Sequence, residues 1–249
     1  MEELVVTPNT PTLGSKRQPW ETYAVLALLI LLLHHLYHDY TSFIALGPGG
    51  TPATIGGYLR VKLLSFFALR NPYEPGPTPK SLLGTGGHLR KLPRRNGTRP
   101  VTKGIAPHRQ MTQRASQQHY NLLESKINRM GHETERLVID TSCFEKHSTG
   151  LFSRIPSRRT CRGEICHAHP SDGSMHMTLH PEDAKIVLEA GWGERHPLAR
   201  GGWFERFVPA GFMMIYAPRS LEDVEVLMEI VEAAAWYVSG EKAGRRRSD

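Results

Sequence analysis

The dipeptide Asp172-Gly173 restricts the fold of this chain more than any other feature of its sequence. It separates residues 164–169 from 174–179, two runs of strand length, and Asp-Gly between such runs is a strong local hairpin signal. A type I′ turn needs positive φ at both central positions, which aspartate and glycine tolerate. A two-residue turn here pairs Ser171 with Ser174, His169 with His176 and His167 with Thr178. Side chains alternate along a strand, so His167, His169 and His176 then share one face. Cys166, Ala168, Met175, Met177 and Leu179 fall on the other, which becomes the core side. Three imidazoles thus gather within reach of one small ligand.

The surrounding segments give this hairpin partners. Pro181 suits the first position of a helix, Glu182 and Asp183 its first turn, and Gly191 its end. Residues 211–217 read as a third strand, and Ser220 caps a last helix running to about Val238. Upstream, residues 109–130 read as a helix with Tyr120, Leu123 and Ile127 on one stripe, closed by Gly131. Residues 137–139 read as a short strand. The expected fold is α+β: a small antiparallel sheet containing a His-rich hairpin, packed with helices, and preceded by an N-terminal membrane helix.

That membrane helix is expected over 20–40. Residues 23–33 form an unbroken apolar run, and extending it to the flanking aromatics gives about 31 Å of helix. Trp20 and Tyr23 at one end, with Tyr37 and Tyr40 at the other, resemble interfacial belts. A cleaved signal peptide would need a small-x-small site, and bulky His34-His35-Leu36-Tyr37-His38 stands there instead. A core helix would show a polar face, and this run shows none. Lys16 and Arg17 precede the run and no further Lys or Arg follows until Arg60. The positive-inside rule therefore puts the N-terminus in the cytosol and opens the sequon Asn96-Gly97-Thr98 to glycosylation. A single-pass endomembrane protein, in the endoplasmic reticulum or a related compartment, is the expectation.

The remaining organisation follows from composition. Hydrophobic residues make up 39% of 249, enough for one core, so one domain with appendages is expected. Residues 1–19 read as a disordered tail and 41–107 as an interfacial helix followed by a Pro/Gly-rich basic linker. Residues 108–240 read as the main domain and 241–249 as a basic tail. Within the second segment, 55–70 is apolar around most of its circumference, broken by Arg60 and Lys62. It suits the membrane interface with basic residues snorkelling, and more readily a core helix under the main domain. Four prolines in 71–79 exclude a regular element there. The net charge of +7 favours acidic partners, but the basic residues carry no interleaved aromatics and no nucleic-acid motif. Lipid-facing or solvated charge is the reading adopted, and nucleic acid is not an expected partner. Three cysteines are too few for a disulfide scaffold.

Two further clusters carry possible chemistry. In Gly191-Trp192-Gly193-Glu194-Arg195-His196-Pro197-Leu198, Trp192 can stack on a planar ligand, Arg195 can pair with an oxyanion and His196 can move protons. Equally, the stretch can be a helix terminator with Trp192 in the core. Tyr216-Ala217-Pro218-Arg219 ends a strand just before a helix, where ligands often bind, though Arg219 can equally form a salt bridge. The histidine face suits zinc, copper or iron, but Cys166 points away and no standard zinc spacing is present. A metal-free polar pocket, ordinary hydrogen-bonded histidines and a metal site all stay open. No nucleophile elbow, P-loop or dinucleotide fingerprint is present.

Taken together, Glu164-Ile165-x-His167-x-His169, Asp172, His176, the Gly191–Leu198 stretch and Tyr216-Ala217-Pro218-Arg219 resemble the fungal luciferase family. Asp39-Tyr40, Gly47-Pro48, Gly57-Tyr58 and Gly97-Thr98-Arg99-Pro100 extend the resemblance over most of the chain. Luminous members are membrane-anchored oxygenases that add molecular oxygen to a hydroxylated hispidin, a 2-pyrone. The endoperoxide loses carbon dioxide to leave an excited product, with no metal or organic cofactor. The resemblance implies a base among His167, His169 and His176, and anion stabilisation by Arg195 or Arg219, with His196 also catalytic. Substrate contact is implied for Asp172, Trp192, Glu194, Tyr216 and Arg219, and the partners implied are a small molecule, O2 and the membrane. This chain departs in an apparently shorter hairpin turn, in Glu194 where a glutamine can occur, and in added His180, Cys161 and Cys166. The family includes many proteins of fungi that do not glow, so it implies oxygenase chemistry rather than light itself. The contrasting reading is a non-catalytic, membrane-tethered module that binds a small molecule or lipid.

Overall fold

The computed structural model describes residues 19–158 and 160–240. The expected disordered tail, apart from Pro19, and the expected basic tail lie outside the described residues. The chain divides into two units, Met1–Ser42 and Phe43–Asp249.

The first unit is built on α1 (Pro19–Ile44), a 26-residue helix spanning about 39 Å at 1.5 Å per residue. It is long and apolar enough to cross a membrane, and its leucines are exposed along its length.

The second unit follows in the order α2 (Ile55–Ser65), β1 (Thr102–Gly104), β2 (His108–Gln110), α3 (Gln117–Glu133), β3 (Leu137–Thr141), β4 (Thr149–Ser153) and β5 (Glu164–Ala168). It continues with β6 (Met175–Thr178), α4 (Pro181–Ala190), β7 (Gly193–Arg195), β8 (Phe212–Ile215) and α5 (Leu221–Ser239). Six strands form one antiparallel sheet in the order β3-β4-β5-β6-β8-β7, and β1 and β2 form a separate two-stranded ribbon. The fold is α+β, as expected.

One face of the sheet is the core. Cys166, Met175, Met177, Met213 and Ile215 meet Leu123 and Ile127 of α3 and Val224, Leu227, Ile230 and Val231 of α5. The caps follow the sequence: Ser220 accepts from the Asp223 amide, and Gly191 ends α4 at φ +81°. All three cysteines are free thiols.

The hairpin register differs from expectation. His167 pairs with His176 and Ala168 with Met175, a shift of two residues. The connection spans four residues, because the Gly173 amide donates to the His169 carbonyl and the Asp172 carboxylate accepts from the Ser174 amide. Only Gly173 takes positive φ, so the turn is not type I′. A two-residue shift preserves side-chain parity, so His167, His169 and His176 still share a face.

The helix expected over 109–130 starts later. Gln113 at φ +55° interrupts it, and Ser116 provides the cap by accepting from the His119 amide. Arg109 therefore lies in β2. Gly131 is not the terminator; it lies inside α3, where a Cβ would run into Ile139.

The proline-rich segment before β1 is bound along α4. The amides of His88 and Leu89 donate to the Asp183 carboxylate at 3.1 and 2.7 Å, and Trp192 Nε1 donates to the Pro93 carbonyl at 2.6 Å.

Candidate functional site

The face of the sheet away from α3 and α5 is polar and closed. His167 and His176 form a cross-strand pair there, and Met214 and Glu194 follow at the same level of β8 and β7. With His169, His196 and His108 of β2 they place five imidazoles in one cluster, each at most 5% exposed. A pocket of about 430 Å³ opens beside it, lined by His108, His167, His176 and His196 together with Phe144 and Phe212.

Three of the imidazoles form a chain. His169 Nε2 lies 3.0 Å from His176 Nδ1, and His176 Nε2 lies 3.3 Å from His108 Nδ1. Each end meets a carboxylate. His108 Nε2 is 3.2 Å from Glu194 Oε1, while His169 Nδ1 is 2.9 Å from Ser174 Oγ and 3.7 Å from Asp172 Oδ1. One assignment of protons satisfies the chain with every ring neutral, each donating from Nε2 and accepting at Nδ1. Moving each proton one step along reverses the polarity, so the arrangement can pass a proton between the pocket and a buried carboxylate.

The environment favours neutral rings. Burial holds His169 below the usual imidazole range. His176 is held well below it by burial and by the neighbouring His169, His167, His196 and His108. His196 is also held well below, by burial and then His108. Burial works in the opposite direction on the carboxylates but is outweighed: the neighbouring His169 and a bond from Ser174 keep Asp172 below its usual value. His108, Thr102 and Tyr216 do the same for Glu194.

His167 has its own partner. Its Nδ1 lies 2.6 Å from Glu164 Oε1, which also accepts from Ser142 Oγ, while Glu164 Oε2 accepts from the Cys143 amide at 2.7 Å. Residues three apart on a regular strand face opposite ways. A bulge at Ile165 turns Glu164 back: Leu151 pairs with Cys166 but Phe152 with Glu164, leaving Ile165 without a partner on β4.

The other expected site residues separate. His196 lines the pocket, but Nε2 donates to the Ile105 carbonyl and Nδ1 accepts from the Leu198 amide, so both nitrogens serve the backbone. Glu194 reaches the cluster and is held by Tyr216, whose hydroxyl donates to Oε2 at 2.8 Å. Asp172 fixes the hairpin connection. Arg195 pairs opposite Met213, so alternation sends it away from Glu194, and its guanidinium donates to the Ala199 carbonyl. Trp192 packs in the core. Arg219 lies outside the pocket, bonded to Asp223 and the Asn96 carbonyl. Arg195, Arg219 and Trp192, expected at the ligand, are not among the residues that line this pocket.

Sequence reasoning missed His108, Arg109 and Glu145. The last two form a buried ion pair lining the pocket, and Arg109 also reaches the Pro48 carbonyl. They come from a three-residue strand and a loop, too short for any periodic signal.

A luciferase-domain family profile matches residues 162–234, which includes four of the five clustered histidines. Luciferases of Neonothopanus nambi, Armillaria ostoyae and Armillaria gallica are each 33% identical to this chain over 228 residues. The alignments cover 83% of this chain and 82% of each relative. No solved structure matches the chain.

Proposed function

Because the chain belongs to the fungal luciferase family, we propose that it is an oxygenase acting on a hydroxypyrone or related phenolic metabolite held beside His176. The observation that carries this reading is the chain of three imidazoles ending on Glu194 and Asp172. An acidic hydroxyl in the pocket loses its proton to His167, whose Nδ1 is held by Glu164 and whose other nitrogen is open to a ligand. The imidazole chain beside it can relay charge away from the pocket. The resulting anion is electron-rich enough to reduce O2, and the peroxide formed closes onto the pyrone before carbon dioxide leaves. Arg109, buried against Glu145, supplies positive charge on the pocket wall. Phe144 and Phe212, 4.6 Å apart, offer an apolar wall for a planar ring and keep water from the intermediate.

The chain acts at an endomembrane, with α1 as a single pass. Support comes from α1 itself and from an exposed apolar stripe, Ile55, Leu59, Leu63 and Phe66, at helical spacing along α2. Phe67 meets Phe204 at 5.5 Å, and Trp203 beside it is 59% exposed. Arg60, Leu64, Arg206 and Phe207, from the same two segments, line the pocket mouth. An apolar rim of this kind fits a headgroup layer.

The test is oxygen uptake by the full chain in lipid nanodiscs with hydroxylated hispidin, recorded with light emission. Uptake that falls about 100-fold or more in His167→Ala is expected for loss of a general base. Tight binding without uptake would instead make the chain a ligand-binding module.

A further inference from the structure

Cys143 and Cys161 come from different loops, and both line the pocket. They stand 18 positions apart in sequence, with β4 between them, and Cys143 Sγ donates to the Cys161 carbonyl at 3.3 Å. A carbonyl oxygen lies about 2.4 Å from its own Cα, so Cys143 Sγ is within about 5.7 Å of the Cys161 Cα. The same two loops are joined again beside the thiols. Arg162 bonds to Asp140 at 2.6 Å. Glu164 takes the Cys143 amide on its carboxylate and gives its own amide to the Cys161 carbonyl. Burial, and then the neighbouring Cys161 thiol, push the Cys143 thiol up, which is the effect of two thiols in contact. The remaining cysteine, Cys166, packs in the core on the other face of the sheet.

We propose that Cys143 and Cys161 form a reversible disulfide that clamps the wall of the pocket, made by exchange with a small disulfide of the oxidised-glutathione class. Cys161 is exposed and Cys143 is half-buried, so the oxidant reaches Cys161 first. The Cys161 thiolate attacks one glutathione sulfur, releasing one glutathione and leaving a mixed disulfide. Cys143 then gives up its proton and attacks the Cys161 sulfur, releasing the second glutathione. Two protein thiols lose two electrons and two protons, and one glutathione disulfide becomes two thiols. The loop that begins at Ser142 carries Phe144 and Glu145 into the pocket, so the bond fixes that wall against the turn entering β5. Such bonds persist in an oxidising compartment such as the secretory lumen and open in the cytosol.

The clamp stands without the oxygenase reading. The full chain in detergent micelles is equilibrated in a glutathione buffer poised as in the endoplasmic reticulum lumen, alkylated, digested and read by mass spectrometry. A peptide joining Cys143 to Cys161 is expected, with an intact mass lower by two hydrogens than that of the reduced chain. The thermal midpoint should rise by about 5–10 °C over the reduced chain. Amides of Phe144 and Glu145 should exchange with deuterium about tenfold more slowly. Cys161→Ser and Cys143→Ser, each folded by circular dichroism, should lose the link and both shifts. Alkylated Cys143 and Cys161 in folded wild-type protein at that poise, a glutathione adduct left on Cys161, or a link to Cys166 overturns the pairing. A Cys143–Cys161 link that changes neither the midpoint nor the exchange overturns the clamp. None of these readouts uses a pyrone, so failure of the clamp and failure of the oxygenase reading stay separate.

Discussion

Glu164 and His167 meet at 2.6 Å on the same face of β5 although three residues separate them, because Ile165 bulges out of the pairing with β4. Glu164 accepts from three points in all: His167 on its own strand, the Ser142 hydroxyl and the Cys143 amide. Replacing it with alanine leaves buried donors without partners, at about 1–3 kcal/mol each. Glu164→Ala should therefore lower the denaturation midpoint by several degrees, and Glu164→Gln by less, in thermal unfolding followed by circular dichroism.

Acid should destabilise the second unit before its surface carboxylates titrate. His169, His176 and His196 all have folded values below the ordinary imidazole value of 6.5. Below that pH the unfolded chain binds protons that the folded chain refuses, so stability rises with pH and is lost as pH falls. Each such histidine contributes a slope of about 1.4 kcal/mol per pH unit while the folded ring stays neutral. Urea midpoints at pH 7.5 and 5.5 check this, and equal midpoints would contradict it.

Arg219 and Arg109 should behave differently. Arg219 is partly exposed and paired with Asp223 in the first turn of α5, so Arg219→Ala should cost at most about 1 kcal/mol and change oxygen uptake less than threefold. Arg109→Ala strands the buried Glu145 carboxylate against the pocket. About 3–5 kcal/mol is the expected loss for breaking a buried pair, with uptake lost in the same variant.

Orientation across the membrane can be read at Asn96, which is exposed. If the N-terminus is cytosolic, the chain expressed in a fungal or yeast host gains a glycan that endoglycosidase removes. Asn96→Gln should not shift on gels. An unglycosylated wild-type chain at the membrane would place the second unit in the cytosol.

The histidine face was legible because parity survives an even shift. The Asp-Gly signal located the hairpin but not the length of its connection, which depends on the Asp172 carboxylate turning back onto Ser174. The direction of Arg195 was not legible, for the converse reason. Glycine-tryptophan-glycine marks a turn after a helix, but only pairing with β8 decides which side the following residues face. His108 and Glu145 reach the cluster from segments whose partners are far away in sequence, and neither carries a local pattern that points there.

Asp172 does one more thing. Its Oδ2 accepts from the Gln110 amide at 3.0 Å and its carbonyl from the Ala115 amide at 3.0 Å, while Gln110 Oε1 accepts from the Ala217 amide. The two-stranded ribbon that carries His108 is thereby latched to the hairpin and to the end of β8, elements it never pairs with as a strand. Opening the hairpin connection releases the ribbon as well. The Gln110 amide should exchange with deuterium in step with the Ser174 amide, as one cooperative unit, rather than with its own short strand.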